Sequence, residues 1–430
     1  MFVTGRFFAL VLLGALPVLL RPQASTVLAW VAFCVVVCLL DIVAAGSTRA
    51  VLITRMPTVP IRLGEQTSST LVITNTGPRM FRGRLRDSWQ PSAGASTGTH
   101  VISVPSGEYR TVTTELTPVR RGDRLAARVT VRRIGPLGMA GRQRSTTVPG
   151  MVRALPQFNS RKHLPSRLAH LRQLDGRSAV RIRGQGTEFD SLRDYVEGDD
   201  IRSIDWRASA RRRAMVVRTW RPERDRHIVI VLDTSRTSAG RVGDVPRLDA
   251  AMDAALLLAA LASHAGDRVD LIAGDRRVHR RVVGSPRTTL LNDLVLSMTG
   301  LEPALLEADW AMLGAEVTRI SRQRALVVLL TPLEPAAIEE SLLPPLSVLA
   351  TRYRVVIGSV ADPAVGAMLE RRGDVREIYQ AAAAARTLEL REHTAAAVKQ
   401  MGVDVVDADP QRLPVALADH YLQLKSRGLL

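Results

Sequence analysis

From His227 to the C-terminus, short apolar runs alternate with longer helical patterns, and this alternation constrains the fold more than any other feature. "HIVIVLD" (227–233) has the continuous apolar make-up of a strand buried on both faces. "DAAMDAALLLAALASHAG" follows as a helix, opened by Asp249 and stopped by Gly266. "DRVDLIAGD" reads as a second strand, with "RRVHRRVV" pairing to it, and helical stretches cover 288–301 and 310–320. "RALVVLLTP", "YRVVIGSVAD" and "VDVVDAD" supply three more strands, and "PVALADHYLQLKSRG" a last helix with Pro414 in its first turn. The alternation predicts an α/β domain over 227–430, a doubly wound, mostly parallel sheet with helices on both faces. No GxGxxG follows a strand and no GxxxxGK[ST] occurs, which leaves nucleotide binding of those types without support.

The N-terminus has a different character. Residues 22–40, "PQASTVLAWVAFCVVVCLL", carry no charge, and with flanks to Ala45 they reach the roughly 20 residues that cross a hydrocarbon core. The earlier run "FFALVLLGALPVLL" (7–20) is shorter and is broken by Pro17. A signal peptide with Arg6 as its basic start is the rival reading of that run. We expect a transmembrane hairpin over 1–46, with Arg21-Pro22 as the turn and Arg6 snorkelling. Arg49, Arg55 and Arg62 follow the second segment closely, so the positive-inside rule places the bulk of the chain in the cytoplasm. Cys34 and Cys38, one helical turn apart in this segment, read as small apolar fillers.

Over 47–156 the pattern becomes period-two: "TLVITNTG", "EYRTVTTELTPV" and "ARVTVRRI" alternate β-branched and polar residues and are closed by turn residues. This predicts a small antiparallel β domain, sandwich-like. A connector over 157–226 begins with a polar stretch rich in Arg and His.

Charge argues against nucleic acid despite its sign. The formal net charge is +18, from 59 Lys+Arg against 41 Asp+Glu, but only Lys162, Lys399 and Lys425 are lysines, and the arginines are spread along the chain. Aromatics make up 4%, too few to interleave stacking platforms with a basic groove. The eight histidines show no metal-ligand spacing, and neither HExxH nor CxxC is present.

Two places could carry chemistry. The first is the end of the first strand, Asp233-Thr234-Ser235-Arg236-Thr237, where ligands bind in sheets of this class. One carboxylate and two hydroxyls suit a hydrated Mg²⁺. The arrangement resembles the metal-ion-dependent adhesion site of von Willebrand factor type A domains. That resemblance implies direct contacts from Ser235 and Thr237, with Asp233 acting mainly through water. It also asks for a threonine on a second loop, where Ala308 or Asp309 stands, and an aspartate after the fourth strand, where the chain reads Thr331-Pro332-Leu333. The site is therefore degenerate, and weak or absent metal binding is expected. Ser235 and Thr237 satisfying loop backbone groups is the alternative.

The second place is "RDYVEGDDIRSIDWRASAR" (193–211). Tyr195, Gly198, Asp199, Asp200, Arg202, Ile204, Asp205 and Trp206, followed by Ala210-Arg211 and the Asp233-x-Ser235 loop, resemble the domain-of-unknown-function fifty-eight family. "RRGD" (120–123) and "GPLGM" (135–139) fit that family too. The resemblance implies a membrane hairpin, a β domain and a von Willebrand type A-like domain in that order. It also implies a non-enzymatic adaptor role beside a MoxR-type AAA+ ATPase. From the residues alone, Asp199 or Asp200 can cap a short helical turn. Arg193, Arg202 and Arg207 can pair with the aspartates. Ile201 and Ile204 share a face, and Trp206 is expected to be a buried anchor bracing the approach to the sheet. A partner-docking surface is the second reading of the motif. Competing functions are a metal-dependent hydrolase using the aspartates of 199–205, and an extracytoplasmic adhesion protein.

Overall fold

Alternating runs fold as strands because one face can be buried while the other stays wet, and the first unit of the computed structural model follows that rule. The structure describes residues 1–96, 98–181, 188–221 and 226–430, with side chains outside 175–191 and 219–225. It divides into Met1–Leu155 and Pro156–Leu430.

Within Met1–Leu155, one sheet runs Phe2–Val3, Ala140–Thr146, Gly122–Ile134, Met151–Leu155, Ile61–Arg62. Phe81–Trp89 and Thr99–Val104 extend it from Gly122–Ile134. A second sheet joins Val51–Arg55, Thr67–Asn75 and Tyr109–Leu116. The two share one core, with Leu71, Ile73 and Val112 meeting Phe81, Leu85, Val129 and Val131. This unit is mostly β, as the period-two runs require. Its pairing is not wholly antiparallel, because Met151–Leu155 runs parallel to Ile61–Arg62.

Among the described residues one helix, Ala24–Ala44, is long and apolar enough to cross a membrane. The earlier apolar run forms Gly5–Leu13 and Ala15–Leu20, separated at Gly14, and is shorter than a spanning helix. Gly14 is where the two segments approach: a Cβ there would overlap the Trp30 indole. Both ends of the apolar pair are fastened to one turn. Phe2 pairs with Gly141, the Thr4 amide donates to the Met139 carbonyl (2.9 Å), and its hydroxyl donates to the Gly138 carbonyl (2.6 Å). Asp41, fully buried near the end of Ala24–Ala44, accepts from the amides of Leu137 (2.8 Å), Met139 (2.8 Å) and Ala140 (2.9 Å). The "GPLGM" run is this turn. Gly135 is required because a Cβ would strike the Asp41 carboxylate and carbonyl.

Pro156–Leu430 begins earlier than the alternating region. The polar stretch read as a connector contains a helix, Leu164–Arg181, and Arg167 on it pairs with Asp419 through two 3.1 Å hydrogen bonds. Downstream come β1 (His227–Asp233), α1 (Arg247–His264), β2 (Arg268–Gly274), β3 (Val278–Val282), α2 (Leu290–Thr299) and α3 (Trp310–Ile320). Then follow β4 (Leu326–Leu330), α4 (Leu343–Arg352), β5 (Arg354–Val360), α5 (Val375–Gln400), β6 (Asp404–Ala408) and α6 (Leu413–Ser426). The α1 helix starts at Arg247, which puts Asp249 in its first turn rather than at its cap. The sheet order is β3-β2-β1-β4-β5-β6, all parallel except β3. Val229 and Val231 of β1 pack with Trp310, Leu313, Leu346 and Leu349, whereas their fully buried neighbours Ile228, Ile230 and Leu232 lie outside that cluster. That division is the period-two geometry of a strand. The α1 helix packs against α6 and against β1, β2 and β5. The continuous apolar run of β1 thus comes from burial on both sides.

Candidate functional site

β1 and β4 are adjacent in space but distant in the chain, and the order of strands reverses between them. At their carboxyl ends Asp233 is buried and accepts from the Ser235 amide (2.7 Å), the Thr237 hydroxyl (3.1 Å) and the Thr331 hydroxyl (2.7 Å). Ser235 and Thr237 hydroxyls lie 3.0 Å apart and are themselves buried. Burial pushes the Asp233 carboxyl above the usual range, and the hydrogen bonds only partly oppose this. On the second loop Ala308 offers a buried methyl, and Asp309 is engaged as the N-cap of α3, accepting from the Met312 amide (2.9 Å).

The cluster offers a divalent cation few ligands: Asp233 already accepts three hydrogen bonds, the second loop contributes none, with Asp309 engaged as a cap, and the third contributes Thr331, whose hydroxyl donates to Asp233. Among the described residues, no group of three His, Cys, Asp or Glu side chains could hold an ion. Just past the end of neighbouring β2, Asp275 accepts from His279 (2.7 Å) and Thr234 (3.2 Å). Burial would raise Asp275, but the His279 hydrogen bond and charge outweigh it and hold the group low.

The motif builds a separate small module. Glu188–Asp194 and Val216–Arg221 form an antiparallel pair, and Ile201–Ser203 (a 3₁₀ turn) and the helix Trp206–Arg212 occupy the connection. Each aspartate holds one piece of it. Asp199 takes a bidentate pair from Arg193 (2.5 and 2.7 Å) and the Val196 amide (3.0 Å). Asp200 caps the 3₁₀ turn through the Arg202 amide (3.0 Å). Asp205 caps the helix through the Arg207 and Ala208 amides (3.0 Å each) and takes Arg218 Nε at 2.8 Å. The Ala208 amide and the Arg218 side chain hold Asp205 below the ordinary carboxylate range. Asp199 in turn raises Arg193. Gly198 sits at φ +107°, a conformation that disfavours any other residue, and the Tyr195 amide closes the ladder on the Met215 carbonyl (2.8 Å).

Three expectations are corrected here. Trp206 is not a buried anchor but is 66% exposed, although its neighbour Asp205 is tied to the strand pair by donating its amide to the Val216 carbonyl and accepting from Arg218. Ile201 and Ile204 do not share a face: Ile204 is buried and bridged to Val217, while Ile201 is 66% exposed. Val196 and Met215 are exposed too. Arg202 and Arg207 serve through backbone amides, and the side-chain partner for Asp205 is Arg218, thirteen residues away across the strand pair. Only the hairpin register could have revealed Arg218.

A protein of Mycobacterium tuberculosis (strain H37Rv) and one of Mycobacterium bovis, both described as uncharacterized, are each 28% identical over 187 residues. The match covers 42% of this chain and 57% of each relative, so the chain spans little more than half the length of these curated relatives. Among solved structures, similarity is found to a PapD-like domain of human CEP192 (16% identity, 24% of this chain, 86% of that one, TM-score 0.17). The CARDB domain of PF1109 from Pyrococcus furiosus is another (12% identity, 24% and 94%, TM-score 0.17). Likeness at these scores carries no argument about fold or function. The motif-bearing region is matched by the model of a protein family of unknown function, DUF58, over residues 191–414, just over half of the chain, and the protein therefore belongs to the DUF58 family.

Proposed function

We propose that this chain is a membrane-anchored, non-enzymatic adaptor whose 188–221 module docks a partner protein, a MoxR-type AAA+ ATPase. The observation that carries the reading is Trp206, two-thirds exposed on a module whose own aspartates, caps and arginine pairs already hold it together. A large aromatic left in water beside arginines has the composition of a binding hot spot. Arg213 adds to this. It closes the Trp206–Arg212 helix at φ 54°, where glycine is the usual residue, and remains exposed. The aspartates of 199–205 serve as caps and ion-pair partners, which speaks against their use in hydrolysis.

The strand order β3-β2-β1-β4-β5-β6 supports reading the sheet as a doubly wound, von Willebrand type A-like domain. Its adhesion-type ion site is replaced by the hydroxyl-closed Asp233 cluster. We take the apolar pair as a membrane hairpin in which Ala24–Ala44 spans and the shorter Gly5–Leu20 run returns through a locally thinned bilayer, since Phe2–Thr4 and Asp41 are fastened to the same 135–141 turn. The arginines that follow the hairpin favour the cytoplasmic side for the rest. The test is co-purification of the ATPase with the full chain and with Trp206→Ala. Loss of the partner from a folded variant supports the adaptor reading, and undiminished capture refutes it.

A further inference from the structure

The turn that clasps the apolar helices is surrounded by positive charge. Arg142 Nε donates to the Ile42 carbonyl (3.1 Å), near the end of Ala24–Ala44. Arg144 reaches the Arg49 carbonyl (3.4 Å), just beyond that helix. Arg133 lies against Gly46, and the Arg132 guanidinium sits 5.3 Å above the Phe2 ring. Arg6, exposed in the first turn of Gly5–Leu13, abuts Gly138. In residues 1–50 and 126–146 the only acidic residue is Asp41, and its carboxylate faces inward onto three backbone amides. Val3, Ile134 and Leu137 are exposed in the same place.

We infer that Arg6, Arg49, Arg132, Arg133, Arg142 and Arg144 form a collar that binds the phosphate headgroups of anionic lipids around the base of the Ala24–Ala44 helix. Charge complementarity and continuity with the apolar helix select this occupant. Guanidinium groups match phosphate oxygens two at a time. Basic side chains beside an apolar segment meet phosphate at the level where the hydrocarbon ends. The exposed Val3, Ile134 and Leu137 suit the apolar side of that boundary. Burial, and secondarily the charge of Arg79, lower Arg133 from the ordinary arginine value. The collar would set how deeply the helix sits and hold the β unit at one leaflet.

The inference rests on membrane anchoring, so the experiment separates the two. Flotation of the full chain with vesicles after carbonate washing tests the anchor alone. Selectivity is then read with spin-labelled phosphatidylglycerol and phosphatidylcholine in membranes holding the full chain. The expected result is preference for phosphatidylglycerol, reduced about fivefold by either Arg132→Gln or Arg144→Gln, from ~1 kcal/mol per basic residue at an anionic surface. Both side chains are exposed, so the fold should tolerate the changes. Arg280→Gln, on β3 of the other unit, should leave selectivity intact. Equal association of the two lipids in a floating wild-type protein overturns the collar while leaving the anchor standing. So does an equal loss in Arg280→Gln, which would show net charge alone at work. Displacement of phosphatidylglycerol by millimolar inorganic phosphate would point to a simple phosphate site instead.

Discussion

Replacing Trp206 by alanine separates a docking residue from a bracing one. With 66% of the residue exposed, about a third of its surface is covered. A tryptophan can bury roughly 150–250 Å², so truncation uncovers on the order of 50–85 Å². At about 25 cal/mol per Å², the loss is ~1–2 kcal/mol as an upper bound. A tryptophan serving as a core anchor would cost about 3–5 kcal/mol. For a domain of 150–250 residues, 1 kcal/mol shifts the Tm by roughly 2–4 °C. Trp206→Ala in the full chain should therefore melt only a few degrees lower. If the side chain is a hot spot worth about 2 kcal/mol or more, ATPase affinity should fall by about thirtyfold. Differential scanning calorimetry and a binding titration on the same preparation give both numbers. A Tm drop above ~10 °C with affinity unchanged would refute the reasoning and restore the bracing role.

The remaining expectations concern other parts of the molecule. Mg²⁺ should give no saturable thermal stabilisation; an ion at a hundred times its Kd would contribute about 2.7 kcal/mol, and a shift of that size abolished by Asp233→Ala would overturn the closed-cluster reading. Because burial raises Asp233, the native state holds a proton that the unfolded chain releases, so stability should decline as pH climbs from about 4 toward the folded value. Asp233→Asn should flatten that slope in calorimetric pH series. Asp205 has the opposite sign: held low by the Ala208 amide and Arg218, it supports the motif helix above its unfolded value and loses that effect as pH falls through its folded one. Hydrogen exchange at the Arg207 and Ala208 amides should report this, and Asp205→Asn should remove the pH dependence. Asp41→Ala should leave the buried Ala140 amide without its acceptor, costing about 1–3 kcal/mol, and open the 135–141 turn to limited proteolysis; an unchanged digest would show that the clasp is dispensable.

Features that depend on neighbours within a few residues can be read from the amino-acid order alone. The unbroken apolar run of 227–233 required a strand covered on both faces, and β1 is such a strand. The uncharged 22–40 run required a helix, and Ala24–Ala44 is long enough to span a bilayer. The Asp200 cap was legible too, because Asp200 precedes the amide it accepts from by two residues. The tertiary structure decided everything that depends on what packs against an element. Periodicity marks a side chain as apolar but not whether another element arrives to cover it, so Trp206 reads in sequence as an anchor and stands in space exposed. Thr331 reaches Asp233 only because β4 lies beside β1, although 98 residues separate the two. Arg218 reaches Asp205 only through the hairpin register. Asp41 meets "GPLGM" across almost a hundred residues because a buried carboxylate needs donors, and only the folded β unit brings those amides to the end of the apolar helix.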